Sequence, residues 1–376
     1  MENLQFLQID FLLLVKIANV KSLICKKHKR KIAKKEQESA QSKLMQRIKS
    51  GLPGNISLVD EMADLLGVSN DSAYRRIRGE TTLSIEEIAL ICNHFKISFD
   101  AFISNNKETA GNLNQVNFTY YQLSGHVNTF REYLENMKRD IYTLLKFPEN
   151  ERSVIYAAED IPVFQHFAHP FLTAFKIFYW NKSILNAPGF EDKKFDTLHV
   201  DTDLVGIARD IYDAYAKISS IEIWSDDTVN STLKQVEFYW EAGAFKSKED
   251  ALKVCGELSL LFSRISKQAE MNVKFDSNNK PASSENNYAL YQSDVMIGNN
   301  CVMSQMGNIK GSYISYHTFN VMLTMNPGFC NETDLWLKNL IRKSNLISGV
   351  AEKQRYRYFK QVDEALKRLV TKIEND

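Results

Sequence analysis

The fold of the N-terminal part is decided by residues Leu58 to Ile103, which read LVDEMADLLGVSNDSAYRRIRGETTLSIEEIALICNHFKISFDAFI. Apolar residues recur three and four positions apart, which is typical of helices that pack through one face. Gly67 stands between two such runs, where a sharp turn needs a residue with positive φ. Ser69 follows as a candidate N-cap. The stretch therefore predicts a small helical bundle with a tight turn between two of its helices.

The helix after the turn is predicted to have a buried and an exposed face. Ala73 and Ile77 are expected to point into the bundle. Gly79 is placed to end this helix, and the capping box Ser84-x-x-Glu87 to begin the next. The residues left facing outward are polar or aromatic: Asn70, Asp71, Ser72, Tyr74, Arg75 and Arg78.

This pattern resembles the Cro/repressor-type (XRE-like) helix-turn-helix family from Met45 to Phe102, about 58 of the 376 residues. The matching positions cover the turn, the recognition helix and the helix after it: Ala63, Leu66, Gly67, Val68, Ser69, the run Arg75 to Gly79, Ser84 to Phe95 and Ile97 to Asp100. The resemblance implies a transcription regulator that binds double-stranded DNA. In that family the helix after the turn lies in the major groove.

The side chains of that helix suit contacts with DNA. Arginine can bind guanine through two hydrogen bonds, asparagine can do the same with adenine, and serine can contact several base edges. Helix N-termini at Ser57 and Ser69 suit phosphate oxygens, as does Arg78. The DNA-binding residues that the resemblance implies are Ser57, Ser69, Asn70, Asp71, Ser72, Tyr74, Arg75 and Arg78.

The charge of this segment is low for a DNA-binding domain. The whole chain carries a net charge of +1, and Met45 to Phe102 holds six basic and eight acidic residues. A homodimer, or the basic run Lys21 to Lys49, would have to supply the missing attraction to phosphate. The alternative function is an interaction or scaffold protein that keeps the helical bundle and does not bind DNA.

Four segments are predicted along the chain, with an α+β fold overall. Residues 1–44 form a basic extension, 45–104 the all-α helix-turn-helix bundle, 105–115 a polar linker, and 116–376 a larger mixed α/β domain for dimerisation or sensing. Phe6 to Val20 is apolar but holds Asp10 and Lys16, so no stable membrane association is expected. Three alternatives stay open for residues 1–44: an extra helix, a weak membrane-surface anchor, or an upstream extension of the gene model.

The larger domain shows helical and strand patterns in turn. Apolar residues from Tyr120 to Leu144 repeat at three and four positions, which indicates either a helix buried on one face or a dimer helix. Strands are predicted at Val154 to Ala158 and within Tyr288 to Met325. Further helices are predicted at Pro170 to Leu185, Asp203 to Lys217, Asp226 to Trp240, Ser247 to Gln268, Thr333 to Ile347 and Glu352 to Ile373.

The sequence does not predict an enzyme. It contains no GxGxxG, GxxxxGK[ST], HExxH or GxSxG, so no catalytic residue and no cofactor are assigned. An enzyme with a DNA-binding head remains an alternative. The five cysteines are scattered and never spaced as CxxC, which favours reduced thiols in a cytoplasm.

Two features of the larger domain are candidates for ligand binding. Glu159, Asp160, His166 and His169 resemble a metal cluster only weakly, and no metal is predicted; half-buried imidazoles are the simpler interpretation. Aromatic residues cluster in three places, and they either pack an ordinary core or line a pocket for a small apolar or amphipathic effector. The clusters are Phe175 with Phe178, Tyr179 and Trp180; Trp224 with Phe238, Tyr239 and Trp240; and Tyr313 with Tyr316 and His317.

Overall fold

The computed structural model of the chain describes residues 39–52, 56–95, 97, 99, 116–120, 129–316 and 320–376. The chain divides into two compact units, residues 1–106 and 107–376, which are described separately. Most of the predicted N-terminal extension and the predicted linker 105–115 lie outside the described residues.

The described part of the first unit contains four helices: α1 (Ala40–Gly51), α2 (Leu58–Leu66), α3 (Asn70–Ile77) and α4 (Ile85–Phe95). Met62, Ala73 and Ile91 are fully buried at the centre of their packing. The predicted domain start at Met45 falls inside α1, and this helix contributes the buried Leu44 to the same core.

Gln41 of α1 connects the first helix to the end of α3. Its amide nitrogen donates to the carbonyl oxygens of Arg76 and Thr81, at 2.7 and 2.8 Å. Its amide oxygen accepts from the backbone N–H of Leu83 at 3.2 Å. Residues before Met45 therefore belong to the bundle.

The second unit combines helices with one mixed sheet, so the predicted α+β class is confirmed. Its helices are α5 (Thr129–Leu145), α6 (Val163–His166), α7 (Pro170–Tyr179), α8 (Thr202–Ala216), α9 (Asp226–Glu241), α10 (Lys248–Met271), α11 (Pro327–Lys343) and α12 (Glu352–Asn375). Its strands are β1 (Thr119–Tyr120), β2 (Arg152–Ala158), β3 (Ser219–Trp224), β4 (Tyr288–Gln292), β5 (Cys301–Met306), β6 (Ile309–Tyr316), β7 (Asn320–Thr324) and β8 (Asn345–Leu346).

The strand order of the sheet is β1-β7-β6-β5-β2-β3-β4-β8. β2, β3 and β4 run parallel, and the remaining pairs are antiparallel. Alternate residues of a strand point to opposite faces. Accordingly, Ala157 and Ile223 pack with α11 on one face, whereas Tyr156 and Ala158 join the larger core on the other.

The structure differs from the sequence prediction at several elements. Tyr120 was expected in a helix, but it lies in β1 opposite Met322, because β7 offers it an antiparallel partner. The apolar seam of α5, from Phe130 to Leu144, is buried in the core of its own unit, so the first of its two interpretations holds. Strand β3 was not predicted. α11 begins at Pro327 rather than Thr333, because Asn326 accepts the N–H of Phe329 and caps the helix there.

Candidate functional site

The turn between α2 and α3 is set by Gly67. This residue adopts the left-handed conformation, with φ of 62°, and its N–H bonds to carbonyl groups of α2. The N–H of Val68 also bonds back to the carbonyl of Ala63, at 3.0 Å. These bonds satisfy the carbonyl groups of Ala63 and Asp64 in the last turns of α2. The chain can therefore turn sharply and start α3 after only three intervening residues.

Serine hydroxyls cap the N-termini of α2 and α3. The Ser57 hydroxyl accepts the N–H of Asp60 at 3.4 Å, and the Ser69 hydroxyl accepts the N–H of Ser72 at 3.3 Å. The two hydroxyl oxygens are therefore already bonded to backbone N–H groups. A phosphate at either helix N-terminus would meet backbone N–H groups that the caps leave open.

The exposed face of α3 carries the side chains that the sequence predicted there. Ala73 is fully buried, which orients the helix. Ser72 is half-buried. The other five predicted residues of this segment are exposed: Asn70, Asp71, Tyr74, Arg75 and Arg78. The structure thus brings the predicted residues of α3 onto one surface, which we call the α3 surface.

Carboxylates partner both arginines of the α3 surface. Arg75 Nε lies 3.3 Å from Asp71, one helical turn earlier, and Arg78 Nε lies 3.3 Å from Glu80. The Arg78 guanidinium also lies 5.6 Å from the ring centre of Tyr74. All these groups are exposed, so the ion pairs are weak and an external charged group can compete for the arginines.

Arg76 has a different role from its neighbours. Its guanidinium contacts the Glu87 carboxylate at 2.9 Å, and both side chains are largely buried. Glu87 also accepts the N–H of Ser84, which completes the predicted capping box. Burial opposes the charge of Glu87, but the hydrogen bonds from Ser84 and Arg76 lower the pKa of its carboxyl. Arg76 therefore holds α4 against α3.

A cavity of about 470 Å³ lies in the second unit. It opens beside the carboxyl end of β2 and extends over β5, β6 and β7, with α5, α7 and α9 contributing to its walls. Seven phenylalanine, tyrosine and tryptophan side chains line it: Tyr133, Tyr156, Phe164, Tyr179, Trp180, Tyr313 and Tyr316. Volumes of this size are common for small-molecule sites.

Lys176 and Asp160 form an ion pair in the cavity wall, 2.7 Å apart. The Lys176 ammonium also contacts Gln235 at 2.8 Å and Thr232 at 3.3 Å, which accounts for its three N–H bonds. Asp160 further accepts the Thr232 hydroxyl at 2.7 Å. Burial opposes the charge of Asp160, but Lys176 lowers the pKa of its carboxyl. The charge of Lys176 is thus balanced by Asp160, and its ammonium hydrogens are bonded to protein acceptors.

Other acidic groups at the cavity have no such partner. Within the described part of the chain, the carboxylates of Asp140 and Glu159 make no ion pair. Burial raises the pKa of Asp140 to about 6, and burial together with the nearby Asp160 raises that of Glu159. Both are therefore acceptors available to a ligand.

The weak metal-like cluster is only partly brought together. Glu159, Asp160 and His166 line the cavity, whereas His169 is buried away from its lining. Burial lowers the pKa of both imidazoles, that of His169 to about 3. The described residues contain no group of three His, Cys, Asp or Glu side chains arranged to hold a metal.

Sequence reasoning missed Lys176, Asp140 and Gln235 as cavity residues. The sequence does mark Lys176 as unusual, because it is the single charged residue in the apolar run from Phe171 to Trp180. A fully buried lysine requires partners, and partners imply a polar site. Among the predicted aromatic clusters, Tyr179, Trp180, Tyr313 and Tyr316 do reach the cavity, and His317 lies outside the described residues.

Across the described ranges, every helix is too short or too polar to cross a membrane. In comparisons with known proteins, the chain matches no family model, no curated protein and no solved structure. The assignment of a function therefore rests on the α3 surface, the cavity, and the resemblance of residues 45–102 to the helix-turn-helix pattern.

Proposed function

We propose that this protein is a sequence-specific DNA-binding transcription regulator in which α3 enters the major groove. The observation that carries the proposal is the α3 surface. Asn70, Tyr74 and Arg75 are exposed along a helix whose opposite side is fixed by the buried Ala73. A groove accepts one helix face, and base edges are read by such side chains.

The roles of individual residues follow from their contacts. Arg75 would leave Asp71 and bind a base edge. Arg78 would leave Glu80 for a phosphate, and the helix N-termini at Ser57 and Ser69 would meet further phosphates through backbone N–H groups. A homodimer would present two such helices to two half-sites and double the electrostatic attraction.

The same surface also favours a second function, a protein-interaction bundle. Acidic residues outnumber basic ones between Met45 and Phe102, and both arginines of the α3 surface already have carboxylate partners. A protein partner would tolerate that charge balance better than DNA does. The two functions make opposite predictions in one experiment.

The test begins with selection of duplexes from a randomised DNA library by the full chain. Anisotropy titrations on the selected duplex at several salt concentrations then compare the wild type with Arg75→Ala. We expect a negative salt slope, and a loss of tenfold or more in affinity for Arg75→Ala that is concentrated at particular base pairs. Arg357→Ala, an exposed arginine of α12, is the matched control and should bind normally.

Failure of the selection to enrich any duplex would contradict DNA binding and favour the protein-interaction function. Equal losses for Arg75→Ala and Arg357→Ala would also contradict it, because the affinity would then reflect overall charge and not the α3 surface.

A further inference from the structure

The cavity lining contains open hydrogen-bond acceptors. Asp140 and Glu159 are carboxylates without an ion-pair partner among the described residues. His166 is fully buried, lines the same cavity, and its Nδ1 atom has no hydrogen-bond partner. A buried polar atom without a partner costs free energy, so a ligand that supplies a donor is favoured here.

The protonation of His166 follows from its surroundings. Burial and the charge of Lys176 lower the pKa of this imidazole well below its usual value, so it is neutral. The Thr232 hydroxyl donates to Asp160, which leaves its oxygen to accept from His166 Nε2 at 3.3 Å. The proton then resides on Nε2, and Nδ1 is an acceptor.

Lys176 cannot serve an anionic ligand. Its three N–H bonds go to Asp160, Gln235 and Thr232, and the carboxylate of Asp160 balances its charge. The remaining charge in the cavity is therefore negative. Aromatic rings such as Tyr156, Tyr179 and Trp180 complete a lining that attracts cations through their negative ring faces.

We infer that the cavity binds an organic amine, with an apolar body against the aromatic wall and an ammonium group held by open carboxylate acceptors of the lining. The sequence suggested an apolar or amphipathic effector, and the open acceptors now assign the sign of its charge. The ammonium group donates the hydrogen bonds that these acceptors lack. This inference does not rest on DNA binding.

Three compounds with the same indole body and different head groups test the inference: tryptamine, tryptophol and indole-3-acetate. Each is titrated by calorimetry into the full chain at pH 7.5, with no DNA present. We expect tryptamine to bind at least tenfold more tightly than tryptophol, and indole-3-acetate to bind least. The absence of DNA separates this result from the test of the proposed function.

Variants assign the ammonium contact. Asp140→Asn should weaken tryptamine binding by about tenfold and leave tryptophol binding unchanged. Glu132→Gln, an exposed carboxylate on the same helix α5 that does not line the cavity, is the matched control and should bind as the wild type does. Glu159→Gln should show a smaller loss, since Glu159 is exposed.

Three outcomes would overturn the inference. The first is equal or tighter binding of indole-3-acetate or tryptophol compared with tryptamine. The second is no binding of any of the three compounds. The third is an unchanged tryptamine affinity in Asp140→Asn, a variant whose folding is not at risk because burial already disfavours the charge that it removes.

Discussion

The Nζ atom of Lys176 lies 2.7 Å from Oδ2 of Asp160, and only 1% of the lysine side chain is exposed. Taking two charges out of water is costly, and their attraction offsets that cost only while both are present. The pair lies in the wall of the cavity. The stability of the second unit is therefore expected to fall when either partner is replaced alone.

Lys176→Met is expected to lower the free energy of unfolding of the second unit by about 3–5 kcal/mol, because it leaves Asp160 without its cation. Adding Asp160→Asn to this variant should recover part of the loss. Lys138→Met is the matched control: Lys138 pairs with Asp210 nearer the surface, and its loss should cost about 0–1 kcal/mol. Urea unfolding measures all three by tryptophan fluorescence, since the four tryptophans lie in the second unit. Equal losses at both lysines would contradict this account.

Asp140 is expected to destabilise the protein in proportion to its charge. An unfolded aspartate has a pKa of about 3.9, and burial raises that of Asp140 to about 6. The cost is therefore absent below pH 4, grows between pH 4 and 6, and is complete above pH 6. Asp140→Asn should accordingly raise the free energy of unfolding by about 1–3 kcal/mol at pH 8 and by little at pH 4. Urea titrations at the two pH values check this, with the exposed Asp203→Asn as control. A larger increase in the free energy of unfolding at pH 4 than at pH 8 would contradict the predicted direction of the pH dependence.

Gln41→Ala tests whether α1 is an integral part of the first unit. The substitution removes two hydrogen bonds to carbonyl groups and leaves the N–H of Leu83 without its acceptor. We expect a loss of about 1–3 kcal/mol, seen as faster hydrogen exchange of the Leu83 amide. Lys43→Ala, at an exposed position of the same helix, should leave that amide unchanged. An unchanged hydrogen-exchange rate of the Leu83 amide in Gln41→Ala would indicate that α1 contributes little to the stability of the first unit.

Gly67 and Gly206 should respond to alanine in opposite directions. A methyl group meets nothing within 4 Å at either position, so the backbone decides the outcome. Gly67 has φ of 62°, and alanine there should cost about 1–2 kcal/mol. Gly206 lies within α8, and alanine there should stabilise by about 0.5–1 kcal/mol. Hydrogen exchange of α2 and α3 reports the first change, and tryptophan fluorescence the second. Changes of the same sign would show that packing outweighs backbone conformation.

The first unit could be predicted from the sequence further than the second because its determinants are local. Gly67, Ser69 and the pair Ser84 and Glu87 fix a turn and two helix starts over a few residues, and the structure places them in those roles. The short apolar run Val154 to Ala158 likewise predicted β2. Strand β3 was missed, because its pattern is short and includes the buried Glu222, whose partners come from other elements.

The cavity could be predicted only in fragments for the same reason. Tyr179 and Tyr313 were recognised as members of aromatic clusters, but they are 134 positions apart and only the sheet topology brings both to one cavity. The ion pair of Lys176 with Asp160 depends in turn on α9, which supplies Thr232 and Gln235. The spacing of residues within one segment cannot predict contacts among side chains from three separate parts of the chain.

The pairing of β1 with β7 joins Thr119 to Leu323, roughly two hundred residues later. Closing such a long loop carries a large entropic cost, and contacts of high sequence separation form slowly. Helices α1 to α4 of the first unit, in contrast, make contacts over short distances along the chain. During synthesis on the ribosome, the first unit can reach its native form early, whereas the sheet of the second must wait until its last third has emerged. Half-made chains therefore expose the uncovered edges of β2 and β3, and the cell must protect these intermediates from aggregation.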